Sequence, residues 1–200
     1  MKMLSGDMAA YLMSTRYIDW AHASILEKAA EIRARFSDKT EYARAPYEFV
    51  RDGIRHSWDA RDSRVTVSAS DVLREGVGIC WAKANLLAAL LRANGIPSGI
   101  CYQRLTLGST PDGGYCIHAL NAVYLGDEHG WIRLDARGNK PGIDAQFSLA
   151  GERLAFPVRA ECGEEDYLEI HAEPAAITMR VLERNADALH MYQNDLPDAL

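Results

Sequence analysis

The segment from Gly76 to Pro97 constrains the fold of this chain more than any other. Glycines at positions 76 and 78 precede Cys80, strong helix formers follow, and Gly95 and Pro97 are helix stop signals. The segment therefore predicts a long helix that carries Cys80 in its first turn.

Cys80 is a candidate nucleophile because of that position. Unsatisfied N–H groups and the positive end of the helix dipole stabilise a thiolate over a thiol, and the thiolate is the reactive form. A lone cysteine before a helix is otherwise more often a small buried residue. The functional interpretation therefore needs partner residues elsewhere in the chain.

Length and composition limit the classes of protein to which this chain can belong. The 200 residues, 48% hydrophobic and 25% charged, indicate one soluble globular domain over residues 1–200. The net charge of −6 and the scattered cationic residues argue against nucleic acid or an anionic membrane as a partner. Asp7, Arg16 and Asp19 interrupt the N-terminal segment, so neither a signal peptide nor a membrane span is expected there. A cytoplasmic location follows by default.

The cysteine pattern bears on metals and disulfides. Cys80, Cys101, Cys116 and Cys162 show no C-x-x-C spacing and do not form the pattern of a disulfide-rich secreted framework. Structural zinc is therefore not expected, and we expect no metal or other cofactor.

Helical patterns dominate the first half of the chain. Residues 22–35 and 42–56 read as amphipathic helices, with Pro46 in the first turn of the second. Ser70 and Asp71 predict the N-cap of a short helix that Gly76 ends. Near the C-terminus, residues 174–190 return to a helical pattern that is typical of a packing helix.

The apolar period changes from helical to alternating after Pro97. Residues 99–107, 115–125 and 131–135 read as strands joined by glycine-rich turns, which predicts an antiparallel meander. The predicted fold class is α+β, with the Cys80 helix packed on an antiparallel sheet and a C-terminal helix.

The hairpin between the last two predicted strands aligns two further candidates. Gly126-Asp127 fits a two-residue type II′ turn, which would pair His118 directly with Asp135 at a Cβ separation of about 5 Å. Asp135 would then orient the imidazole, and His118 would take the Cys80 proton. A longer loop through His129 and Gly130 is the alternative, and a one-residue slip would turn Asp135 to the wrong face.

Each candidate also has a structural interpretation. His118 alone would usually be structural, and Asp135 could pair with Arg133 or Arg137. Trp58 and Asp59 could support the site, although capping or packing is the favoured interpretation. Trp81 could point into a substrate groove or into the core, and Cys116 falls on the same strand face as His118.

Five motifs together resemble the bacterial transglutaminase-like superfamily. They are Phe49-Val50-Arg51, Gly76-Val77-Gly78-Ile79-Cys80, Leu90-Leu91-Arg92-Ala93-Asn94-Gly95-Ile96-Pro97, His118-Ala119-Leu120-Asn121 and Trp131-Ile132-Arg133-Leu134-Asp135. The motif core spans about residues 46–140. The resemblance implies a papain-like α+β fold in which Cys80 is the nucleophile, His118 the general base and acid, and Asp135 the residue that orients His118.

The resemblance also implies a reaction. Cys80 would attack an amide or ester carbonyl, form a thioester and pass the acyl group to water or an amine, as in a cysteine peptidase, amidase or acyltransferase. The substrate would be a peptide, a protein or a small amide. Two alternatives remain open, an arylamine acetyltransferase-like enzyme that uses an acyl-coenzyme A donor and a catalytically silent binding module. The Cys80 backbone N–H is one oxyanion-hole donor, and the second is not identified.

Overall fold

A computed structural model describes residues 1–200 and has an α+β architecture. The helices are α1 (Ala23–Arg33), α2 (Lys39–Glu48), α3 (Ser57–Ala60), α4 (Ala69–Glu75), α5 (Cys80–Arg92), α6 (Ala176–Arg184) and α7 (Ala188–Asn194). The strands are β1 (Lys2–Met3), β2 (Arg55–His56), β3 (Val77–Gly78), β4 (Ser98–Thr106), β5 (Tyr115–Tyr124), β6 (Trp131–Leu134) and β7 (Glu165–His171). This confirms the predicted fold class.

The main sheet has the strand order β1-β7-β4-β5-β6. Strands β4, β5 and β6 form the predicted antiparallel meander. Strand β7 pairs antiparallel with the other edge of β4, and β1 pairs parallel with β7, so the sheet is mixed. Sequence reasoning assigned no strand to β7, whose acidic residues weaken the apolar alternation that indicates a strand.

Helix α5 is enclosed by the rest of the molecule. Every one of its residues except Cys80 is buried, and it packs against α1, α2, α4, β4 and β5. It begins at Cys80 and ends at Arg92, close to Gly95 in the left-handed conformation, as the stop signals predict. With 13 residues α5 is the longest helix, and no helix here combines the length and apolarity needed to cross a bilayer.

Two N-terminal helix boundaries differ from the predictions. Helix α2 begins at Lys39, capped by Asp38, so Pro46 lies deep in the helix and the prediction that it occupies the first turn is wrong. Pro46 has no N–H to donate within the helix, and the chain soon widens into a π turn at Phe49–Gly53 and leaves the helix for β2. Helix α4 is capped by Ser68 rather than by Ser70, and Gly76 ends it as predicted.

The C-terminal segment forms two helices where the sequence predicts one. Helix α6 ends at Asn185, which is extended, and Asp187 caps α7 by accepting the backbone N–H groups of Leu189 and His190. An aspartate that caps a new helix competes with continuation of the old one. The two helices can therefore follow different directions.

The connection between β5 and β6 is longer than predicted. Leu125 N–H donates to the Gly130 carbonyl, so residues 126–129 form a four-residue loop in place of a two-residue turn. Asn121 pairs with Leu134 and Tyr124 with Trp131, a register shifted by two residues from the predicted one. The predicted direct pairing of His118 with Asp135 is therefore wrong. An even shift keeps the alternation of side chains, so the two residues still meet.

Gly99 in β4 provides a test of how closely the sheet is packed. A Cβ atom at this position would lie 2.4 Å from Cγ2 of Ile170 and 2.8 Å from the carbonyl oxygen of His171. Gly99→Ala should lower the free energy of unfolding by about 1–3 kcal/mol, because an added methyl group must push strand β7 away. Urea unfolding measures the change. Gly6→Ala is the control, since its Cβ would contact nothing within 4 Å, and equal stability of the two variants would contradict the packing.

Candidate active site

Cys80 is the first residue of α5 and lies at the open end of that helix. Ile79, the preceding residue, is extended and offers no side-chain cap to the helix. The first N–H groups of α5 therefore have no partner within the helix. Cys80 is half-buried, in contrast to the buried residues that follow it. The thiol thus lies next to free backbone donors, as predicted.

His118 and Asp135 form a buried pair. His118 Nε2 lies 2.8 Å from Oδ2 of Asp135, whose side chain is fully buried. Asp135 also accepts the backbone N–H groups of Arg137 and Ala155, each at 3.1 Å. These three contacts hold the carboxylate, and the carboxylate orients the imidazole with Nδ1 as its remaining nitrogen.

The electrostatics of the pair favour a charged imidazole. Burial opposes the positive charge, but the negative charges of Asp135 and Cys80 raise the pKa of His118 to about 10. Burial alone would raise the pKa of Asp135, yet His118 and the two backbone donors lower it below its ordinary value. The Cys80 side chain is close enough to His118 to contribute to this shift of the His118 pKa.

The arginine partners of Asp135 that the sequence suggested are engaged elsewhere. Arg133 binds Glu152 and Asp166. The Arg137 guanidinium pairs with Asp59 at 2.6 Å, and only its backbone N–H reaches Asp135. His118 is therefore the only side chain that hydrogen-bonds to the Asp135 carboxylate.

A cavity of about 790 Å³ opens beside His118. Cys116 lines it together with His118, although burial raises the pKa of the Cys116 thiol to about 12. Trp58 also lines the cavity, where it stacks on Tyr192 at a centroid distance of 4.5 Å. Trp81 instead points into the core and donates its indole N–H to the Ile117 carbonyl at 2.8 Å.

Sequence reasoning missed two residues near the site. Tyr192 in α7 forms part of the cavity wall, and the buried His56 pairs through its backbone with Gly78, two residues before Cys80. Burial and the charge of Arg137 keep the pKa of His56 well below its usual range, so this imidazole is neutral. Its Nδ1 makes no hydrogen bond. No local sequence signal marks either residue, because both are brought to the site by tertiary contacts.

Comparison with known proteins places the chain in a family. The profile of the transglutaminase-like superfamily matches residues 27–136, a stretch that contains Cys80, His118 and Asp135. The chain belongs to the transglutaminase-like superfamily. A search of curated proteins finds no match to it.

One of two similar solved structures supports this assignment at the level of the fold. A candidate cysteine protease from Cytophaga hutchinsonii is 23% identical to this transglutaminase-like chain, with a TM-score of 0.53 over 67% of it. A candidate protease from Parabacteroides distasonis is 15% identical over 76% of the chain, with a TM-score of 0.43. The chain spans 43% and 32% of the lengths of these two proteins. The first comparison supports the fold alone.

In this transglutaminase-like domain no group of three or more His, Cys, Asp or Glu side chains is arranged to hold a metal ion.

The charged state of His118 makes stability depend on pH. His118 binds its proton more tightly in the folded state than in the unfolded state, and this difference stabilises the fold. The contribution is fully present below the unfolded-state pKa of about 6.5. That contribution is lost as pH rises through about 10. The free energy of unfolding should therefore fall between about pH 7 and pH 10. In Asp135→Asn, His118 loses its main partner, so its pKa should fall and the loss of stability should become smaller and move to lower pH.

Urea unfolding at several pH values and NMR titration of the His118 ring measure both effects. Asp127→Asn, in the exposed loop between β5 and β6, is the matched control. A His118 pKa that stays raised in Asp135→Asn would contradict the assignment of Asp135 as its partner.

Proposed function

We propose that this chain is a thiol-dependent amide or peptide hydrolase or acyltransferase. Cys80 would act as nucleophile, His118 as general base and acid, and Asp135 as the residue that orients His118. The observation that carries the proposal is a buried His118–Asp135 pair beside a cysteine at the start of a helix. Nucleophile, base and orienting group then stand in the order that covalent acyl transfer requires.

In the proposed reaction, Cys80 Sγ attacks the carbonyl carbon of an amide and a C–S bond forms. The charge that develops on the carbonyl oxygen is stabilised by the Cys80 backbone N–H and the end of the helix dipole. His118 Nδ1 gives its proton to the leaving amine as the C–N bond breaks, which leaves a thioester. Water or a second amine then attacks the thioester carbon and gives a proton to His118. A C–O or C–N bond forms, the C–S bond breaks, and Cys80 leaves as the thiolate beside the protonated His118.

Asp135 would act through His118. It holds Nε2 at 2.8 Å, so the other ring nitrogen keeps its direction while the proton is transferred. Its negative charge also stabilises the imidazolium that faces the thiolate. The names of the similar solved structures, a candidate cysteine protease and a candidate protease, are consistent with this chemistry.

Selective alkylation of Cys80 tests the proposal without a known substrate. At pH 6 iodoacetamide should modify Cys80 at least about tenfold faster than Cys162, which is equally half-buried. The reason is that an unperturbed thiol of pKa about 8.5 is almost entirely protonated at this pH. Mass spectrometry of peptides gives the rate at each cysteine. His118→Ala should remove the preference, and Cys80→Ser should remove the adduct.

The other cysteines define the background of this experiment. Burial raises the pKa of both Cys101 and Cys116 to about 12, so these thiols should remain unmodified. If Cys80 reacts no faster than Cys162 at pH 6, the ion pair is not formed and a binding module without turnover becomes the better interpretation.

A further inference from the structure

The cavity beside His118 has mainly apolar walls. Six large apolar side chains from five separate parts of the chain form them: Trp58, Leu105, Leu107, Ile143, Phe156 and Tyr192. Its volume of about 790 Å³ is within the range of small-molecule sites. The cavity is therefore large enough for a ring or an extended side chain.

The cations that border the cavity are already paired. Arg137 and Lys140 each contact Asp59 at 2.6 Å. Arg159 contacts Glu164 at 2.6 Å. An anionic substrate group would have to compete with these carboxylates for the cations. The apolar surface of the cavity, in contrast, can bind a substrate group without competition from these carboxylates.

The apolar walls continue up to the reacting groups. The Phe156 ring contacts the His118 imidazole edge-on, with centroids 5.1 Å apart and an interplanar angle of 89°. Elsewhere in the lining, Trp58 and Tyr192 stack with an interplanar angle of 14°, and burial raises the pKa of Tyr192. A group bound in this cavity would lie next to His118, and Cys80 is close enough to His118 and Tyr192 to influence the pKa of both.

We infer that this cavity binds the acyl side of the substrate and selects a bulky apolar group, aromatic or aliphatic, next to the scissile carbonyl. The inference rests on the proposed function, since it assigns the acyl group that Cys80 would accept. Burial of each additional methylene group should raise the acylation rate about fourfold, as long as the cavity has room.

Three activated esters test the selectivity, namely p-nitrophenyl acetate, p-nitrophenyl 3-phenylpropionate and p-nitrophenyl hemisuccinate. Cys80 Sγ attacks the ester carbonyl, a C–S bond forms, and the C–O bond breaks with release of p-nitrophenolate, which is measured by absorbance. Each rate is divided by the rate with N-acetylcysteine to remove intrinsic reactivity. The phenylpropionyl group should acylate Cys80 at least about tenfold faster than the acetyl group. Equal rates, or a preference for the anionic succinyl group, would overturn the inference.

A pair of leucine variants locates the selectivity. Leu107→Asp places a carboxylate on the cavity wall at a position that is already 37% exposed, so folding should tolerate it. The ratio of phenylpropionyl to acetyl rates should fall at least about fivefold. The matched control is Leu168→Asp, at a 53% exposed leucine outside the cavity wall, which should leave the ratio unchanged. An unchanged ratio in Leu107→Asp, with circular dichroism showing a folded protein, would overturn the inference.

The same data separate failure of the pocket from failure of the proposed function. Mass spectrometry identifies the acylated residue. Acylation of Cys80 at equal rates by all three esters contradicts the pocket alone. Absence of both a Cys80 adduct and Cys80-dependent release of p-nitrophenolate with every ester contradicts both.

Discussion

Burial of α5 is the constraint on which the candidate site depends. The helix is enclosed by three other helices and by strands β4 and β5, so it cannot rotate or slide without opening voids or creating clashes. Its buried polar side chains restrict it further. Asn85 donates to the Val67 carbonyl at 3.0 Å, and Arg92 donates to the Ser98 carbonyl at 2.7 Å. Losing such bonds inside the protein would leave costly unsatisfied groups. Cys80, at the open end, therefore has a fixed position.

His118 and Asp135 are also held in fixed positions. Strand β5 pairs with β4 along nine residue pairs that include His118, whereas Asp135 follows directly after β6 and is held by backbone donors. Burying an aspartate and an imidazolium is unfavourable unless each finds an opposite charge and hydrogen bonds. Here His118 and Asp135 supply each other's opposite charge and hydrogen bond. The charges of His118 and Asp135 are therefore already in place where the proposed chemistry would occur.

The cavity is built by other parts of the chain than those that carry the three candidate catalytic side chains. Its walls come from α3, the end of β4, the chain after β6, the segment before β7, and α7. Asp59 connects several of these parts, because it pairs with both Arg137 and Lys140. Surface segments of this kind can vary while the scaffold keeps its shape. The shape of the cavity can therefore change without disturbing α5 or the His118–Asp135 pair.

The main elements of the fold and the three candidate residues could be predicted from sequence because their signals are local. Three signals each act within a few positions of the chain: the glycines before and after α5, the run of helix formers, and the change to alternating apolar residues. The strand register was predicted wrongly, since the four-residue loop from 126 to 129 closes through a bond between Leu125 and Gly130 that composition does not specify. Alternation of side chains is preserved by an even shift, which is why His118 and Asp135 still meet.

The sequence by itself determined that Cys80 begins a helix and that His118 and Asp135 lie on or beside neighbouring strands. Only the tertiary structure decided that Trp58 and Tyr192 stack, that the buried His56 pairs with Gly78, and that the cations near the site are paired. These contacts join segments more than a hundred residues apart in some cases. These contacts depend on how helices and sheet pack together. The sequence near a residue does not reveal them, because a contact with a distant segment leaves no periodic pattern in the local sequence.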